Sequence, residues 1–122
     1  MDKATRALAS GRLLLADGDI DGACNRAYYA MFDAARAALS FTESGISGAT
    51  PPKTHAGLIS AFSLQLVKPG ILPTDLGKNF NRAAEIRFIA DYTGDEVAPE
   101  KAAWLISQAE EFVQIIQSSL FS

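Results

Sequence analysis

The 122 residues predict an all-α protein, an up-and-down bundle of four long helices and one shorter helix. Three observations carry that expectation. Alanine and leucine dominate the segments, and none shows the period-two alternation of a half-buried strand. Glycine and proline gather at four breaks, Asp17-Gly18-Asp19, Gly45 to Pro52, Lys68-Pro69-Gly70 and Thr93-Gly94-Asp95. The connections these breaks allow are short, which favours antiparallel neighbours.

The first helix is expected over roughly residues 3–16, with Ala4, Leu8 and Leu15 on one stripe and Gly18 as its stop. The second starts near Asp19 or Asp21, either able to cap the free amides of a first turn, and runs to about Phe41. Ala23, Ala27, Met31, Ala34 and Ala38 recur at helical spacing, with Tyr28, Phe32 and Leu39 beside them. So much alanine on a buried stripe lets another helix come close. Gly45 to Pro52 reads as the one loop long enough to move. A third helix, about 53–67, carries Leu58, Ile59, Phe62 and Leu66, and a fourth, about 73–92, carries Leu76, Phe80, Ala83 and Ala90. Pro99 fits the first turn of a fifth, where its missing N–H is harmless. Beyond it Ala102, Leu105, Ala109, Phe112 and Ile116 keep a seam wide enough for two neighbours.

This length is one domain, 1–122, able to bury a core without metals or disulfides. Apolar types make up 48% and charged types 20%, with a formal charge of −3, which argues against charge-driven coating of nucleic acid. The excess is uneven: residues 1–50 net −1, residues 51–94 net +2 and residues 95–122 net −4. Glu110-Glu111 reads as a solvated acidic face. A lone cysteine, Cys24, reads as a small buried hydrophobe, and the single histidine, His55, is too little for a histidine metal site. Met1-Asp2-Lys3-Ala4 opens no signal-peptide run, and no stretch approaches the ~20 apolar residues of a membrane span. A cytoplasmic chain with no membrane association is the expectation, and neither metal nor cofactor is predicted.

Three groups could carry chemistry. On the second helix Arg26, Tyr29 and Asp33 fall at i, i+3 and i+7, a row able to form a hydrogen-bond network at a helix seam. Tyr28 and Phe32 read as packing; Arg26 and Asp33 fit packing or function equally. On the fourth helix Arg87 shares the stripe of Leu76, Phe80, Ala83 and Ala90. A guanidinium at a core-facing position needs a partner, because an unpaired buried charge is very costly. Asp91 is the local candidate, with Asp33 or a ligand as alternatives. Lys53, Thr54 and His55 open the third helix, where free amides, a hydroxyl, an ammonium and an imidazole suit an anion or nucleotide; a plain cap by Thr54 or Thr50 is at least as good a reading. Trp104 and Phe112 read as core or oligomer contacts.

Asn25-Arg26-x-Tyr28-Tyr29-Ala30-x-Phe32 with Ala34-Ala35 and Leu39, then Lys53-Thr54-His55-x-Gly57, then Arg87-x-x-Ala90-Asp91-Tyr92 resembles the HEPN domain, in particular its small stand-alone prokaryotic members. The likeness spans about residues 5–120. It implies an all-α bundle that dimerises and is encoded beside a minimal nucleotidyltransferase as half of a toxin–antitoxin pair. It also implies that the helix holding Arg87 is the one on which many HEPN proteins carry a metal-independent ribonuclease motif, an arginine followed four to six residues later by histidine. Here positions 91 to 93 are Asp91, Tyr92 and Thr93. A carboxylate, ionised and acceptor-only near neutral pH, does not replace imidazole. Some HEPN toxins are adenylylated on a tyrosine two residues after that histidine, and Tyr92 lies one position early.

The expectation is therefore a non-catalytic homodimer that binds a nucleotidyltransferase-type partner, with Arg26, Tyr29, Asp33, Arg87, Asp91 and Tyr92 as a polar cleft. Two alternatives stand beside it. One is a ribonuclease rebuilt around His55, which requires His55 to approach Arg87 or Arg26. The other is a nucleotide or anion sensor using Lys53, Thr54 and His55, with RNA or nucleotide as ligand.

Overall fold

The computed structural model describes residues 1–43 and 52–121. The loop expected over Gly45 to Pro52 falls almost wholly outside the described residues, as does Thr50. Among the described residues there are five α-helices and no strand: α1 (Asp2–Ala16), α2 (Ile20–Glu43), α3 (His55–Phe62), α4 (Thr74–Phe88) and α5 (Pro99–Leu120). No helix among them is long and apolar enough to cross a membrane.

In α1 the buried residues Ala4, Ala7, Leu8 and Gly11 follow the i, i+3, i+4, i+7 stripe of an amphipathic helix. Gly11 marks a close approach: a Cβ there would fall 2.7 Å from Ile106 Cδ1 and 3.4 Å from Arg26 Cβ. The helix ends in a Schellman arrangement. Gly18, at φ +87°, donates to the Leu15 carbonyl, and the Asp19 N–H reaches back to Leu14. Asp19 then caps α2, its carboxylate accepting from the Gly22 N–H at 2.9 Å.

The second helix is the spine, packed against α1, α3, α4 and α5. Ala23, Ala27, Ala30, Ala34, Ala35 and Ala38 are all fully buried, which is how one helix accommodates four neighbours. Small side chains bring the helix axes together, while the larger ones fill the spaces between them. Phe62 of α3, Phe80 of α4 and Phe112 of α5 form a ring triad with centroids 5.3–5.5 Å apart. Tyr28 extends it, 6.1 Å from Phe80, and carries the core outward to the polar cluster described below.

Two helices are shorter than their periodicity suggests, for a shared reason. The segment expected as a helix to residue 67 is α up to Phe62 and then a π-helical turn over Ser63–Val67, closed by the Lys68 N–H on the Ser63 carbonyl at 2.8 Å. The segment expected to residue 92 is α up to Phe88 and π over Ile89–Thr93. A five-residue hydrogen-bonded turn retains an apolar period close to that of an α-helix, so spacing alone does not separate them. Gly94, at φ +77°, closes the second turn. In α5 the buried set Ala102, Leu105, Ala109, Phe112 and Ile116 is the seam read from the sequence, joined by Ile106 and Val113. Cys24 is fully buried, and burial together with Asp21 and Asp91 raises its thiol pKa to about 11, so it stays a protonated packing group.

Candidate functional site

Arg87 organises the site. It stands in the last turn of α4, and its side chain is only 15% exposed. Its Nε donates to Asp91 Oδ2 at 3.0 Å, the i, i+4 pair expected from the sequence. Its Nη2 donates to two phenol oxygens, Tyr29 at 3.3 Å and Tyr92 at 3.2 Å. The guanidinium also lies over three rings, 5.4 Å from Tyr28, 5.5 Å from Tyr29 and 5.1 Å from Tyr92. A buried cation is tolerated here because one carboxylate neutralises it and aromatic faces replace water around it.

The π turn decides which side chains reach Arg87. In a regular α-helix residue i+5 sits about 140° around the axis from residue i. Over Ile89–Thr93 the helix widens, and Asp91 and Tyr92 both come back to the Arg87 side. Across the seam, α2 supplies Asn25, whose amide donates to the same Asp91 oxygen at 3.0 Å. That oxygen thus accepts from both helices and locks α2 to α4.

A second layer joins at Tyr28. Its ring is buried and its hydroxyl is 2.9 Å from His55 Nδ1. Burial pushes the Tyr28 phenol up to about 12, despite the opposing charge of Arg87, so it stays protonated at physiological pH. The hydroxyl donates to Nδ1 or accepts from Nδ1–H according to the imidazole tautomer. The imidazole stacks on Tyr28 at 5.6 Å, meets Tyr29 edge-on at 5.7 Å and tilts against Phe32 at 4.8 Å. Burial, then the positive charges of Arg87 and Arg36, lower its pKa below the ordinary 6.5, so it is neutral at pH 7. Arg36 itself lies over Phe32, 5.0 Å from the centroid.

Of the side chains expected in the cleft, Tyr29, Arg87, Asp91 and Tyr92 meet. Arg26 and Asp33 do not join them: among the described residues no hydrogen bond connects either to the cluster. Arg26 lies on the α1 side of α2, beside Gly11. The row that faces α3 and α4 is Asn25, Tyr28, Tyr29, Phe32 and Arg36, with Asn25 and Phe32 one residue out of phase with Arg26 and Asp33. Lys53, Thr54 and His55 also separate. Thr54 is the N-cap of α3, its hydroxyl accepting from the Gly57 N–H at 3.1 Å, while Lys53 is exposed and only His55 turns to the cluster. Sequence reasoning missed Asn25 and Arg36. The 4-3-4 spacing of Asn25, Tyr29, Phe32 and Arg36 was the available signal. Among the described residues, no group of histidine, cysteine and carboxylates could hold a metal ion.

A model of the HEPN domain matches residues 1–119. The chain is a HEPN-domain protein. Several relatives match over most of the chain: a UPF0332 protein of Gloeobacter violaceus is 33% identical over 98% of this chain and 92% of its own length. A protein of Methanocaldococcus jannaschii named "Putative toxin" is 34% identical over 93% of this chain and 80% of its own. A UPF0332 protein of Thermotoga maritima is 34% identical over 94% of this chain and 83% of its own. In this HEPN chain the positions after Arg87 where the resemblance looks for a histidine hold its hydrogen-bond partners Asp91 and Tyr92, and the imidazole arrives from α3 instead.

Proposed function

We propose that this HEPN protein is one half of a toxin–antitoxin pair and that its partner is a small nucleotidyltransferase which meets the rim of the Arg87 cluster. The observation that carries the reading is Tyr92. It is 64% exposed, yet its hydroxyl is tied to the Arg87 guanidinium at 3.2 Å. A phenol presented outward beside a fixed cation is suited to attack an electrophile, since the cation stabilises charge developing on the oxygen. With ATP as donor, the Tyr92 oxygen attacks the α-phosphorus, pyrophosphate leaves, and the phenol proton passes to solvent or to a base on the partner. The name "Putative toxin" borne by two Methanocaldococcus jannaschii relatives supports the same assignment. Purification of the tagged protein from its native cells, with mass spectrometry, tests it. A stoichiometric nucleotidyltransferase, with Tyr92 modified by it and no modification in Tyr92→Phe, is the expected result. Recovery of the chain without such a partner would overturn it.

A second reading, a metal-independent ribonuclease, is favoured by the position of His55. The neutral imidazole and the Arg87 guanidinium share the Tyr28 and Tyr29 rings, the approach that a rebuilt site requires. In the tautomer whose Nδ1–H donates to Tyr28, the Nε2 lone pair would take the proton of a ribose 2′-hydroxyl as its oxygen attacks the adjacent phosphorus. That attack expels the 5′-oxygen and leaves a cyclic phosphate. Loss of RNA cleavage in His55→Ala is the expected result, and equal cleavage by both proteins rules it out.

A further inference from the structure

We infer that the outward seam between α4 and α5 is a docking groove for an amphipathic helix of a protein partner. The fold creates it. Both helices pack chiefly on α2 and touch each other little, so a groove stays open between their outer surfaces. One row of side chains lines each wall. On α4, Asp75, Asn79, Arg82 and Ile86 recur at i, i+4, i+7 and i+11. On α5, which runs antiparallel, Lys101, Trp104, Gln108, Glu111 and Ile115 recur at i, i+3, i+7, i+10 and i+14. Asn79 Nδ2 donates to Gln108 Oε1 at 2.8 Å, a bridge from wall to wall between two hollows.

The two hollows are apolar inside and opposite in charge at the rim. One, of about 370 Å³, has buried Ile86 and the 39% exposed ring of Trp104 as its walls, with Arg82 and Lys101 against Glu100 around them. The other, of about 420 Å³, lies over buried Leu76 and Phe112, with Asp75 and Glu111 at its edge and no cation in its lining. Among the described residues Lys101, Asp75 and Glu111 have no ion-pair partner, and Arg82 has only a 3.8 Å contact with exposed Glu85. A groove between two antiparallel helices is filled by a third helix laid along it, anchored by apolar side chains a whole number of turns apart. The hollows lie about two turns apart, roughly 11 Å. The occupant is therefore a helix with large apolar residues at i and i+7, carboxylates beside one and cations beside the other. Those charges fix its direction and register more than they add to affinity. A second copy docked by this same face would set hollow against hollow and leave both unfilled.

The groove is independent of the toxin–antitoxin reading: neither Arg87 nor Tyr92 lines it, and the chain alone is the sample for its test. Trp104 is the single tryptophan, so its fluorescence reports the groove directly. The intact chain is titrated with synthetic alanine-based helices of about 18 residues, long enough to hold helical structure in water. Each carries two leucines two turns apart and no aromatic residue. In the first peptide glutamates flank one leucine and lysines the other; in the second, glutamates flank both. The first is expected to move Trp104 emission to shorter wavelength, to saturate, and to bind about tenfold more tightly than the second. Lys101→Glu and Glu111→Lys, at opposite ends of the groove, are each expected to weaken the first peptide about tenfold. Both side chains are exposed, so each variant is expected to keep the wild-type Tm. Unmoved Trp104 emission, equal affinity of the two peptides, or undiminished binding in both variants would overturn the inference. So would emission that shifts with the concentration of the chain alone, which identifies a second copy as the occupant.

Discussion

Arg87 shows how much one side chain does when its charge is out of water. Three hydrogen bonds and three ring contacts converge on it, and among the described residues only Asp91 pairs with its charge. Arg87→Ala leaves the Asp91 carboxylate with Asn25 alone and is expected to cost about 1–3 kcal/mol in urea unfolding. Arg87→Lys is expected to recover less than half of that, since an ammonium cannot serve a carboxylate and two phenols in fixed directions. His55 supplies a pH signature. Its folded pKa lies below the ordinary 6.5 because of burial and of Arg87 and Arg36, so the unfolded chain takes up the proton first as pH falls. The stability it contributes is present above pH 6.5 and lost as pH drops through the folded value. Thermal unfolding of wild type and His55→Gln is expected to differ in slope below pH 6.5 and to run parallel above it. At this scale the sequence named Arg87, Asp91, Tyr29 and Tyr92, and the structure brings these four side chains together. It marked Arg26 and Asp33 through a row one residue out of phase, because helical spacing gives neighbours along a face without saying which face meets which helix.

The elements explain why those side chains meet. An apolar repeat locates helices well, and it located all five. It does not resolve a local change from four-residue to five-residue hydrogen bonding, because the apolar stripe continues through both. The consequence at Ile89–Thr93 is functional, since this turn lets Asp91 and Tyr92 reach the same guanidinium. Gly94 ends the turn at φ +77°, a conformation that strains any residue with a Cβ. Gly94→Ala is accordingly expected to cost about 1 kcal/mol by chemical denaturation.

For the whole molecule, the alanine-rich spine α2 brings four helices together and the Phe62–Phe80–Phe112 triad fills the space between three of them. Phe80 touches both that triad and Tyr28, so it joins core to site. Phe80→Ala is expected to cost about 3–5 kcal/mol and to loosen the Tyr28–His55 pair, read as a lowered Tm together with broadened His55 ring signals. Such a loss is a large part of the roughly 5–15 kcal/mol that holds a domain folded. The sequence by itself determined the helical class, the element order and the buried seams, and it offered Asp91 as one candidate partner of Arg87. Each of these follows from spacing within one segment, where covalent geometry sets the neighbours. Only the tertiary structure decided that His55 of α3 reaches Tyr28 of α2, that Asn25 shares an oxygen with Arg87, and that Arg36 borders the site. Those juxtapositions depend on the rotation of each helix about its own axis. That rotation is set by the summed packing of alanines and rings from four other helices, and no single segment contains it.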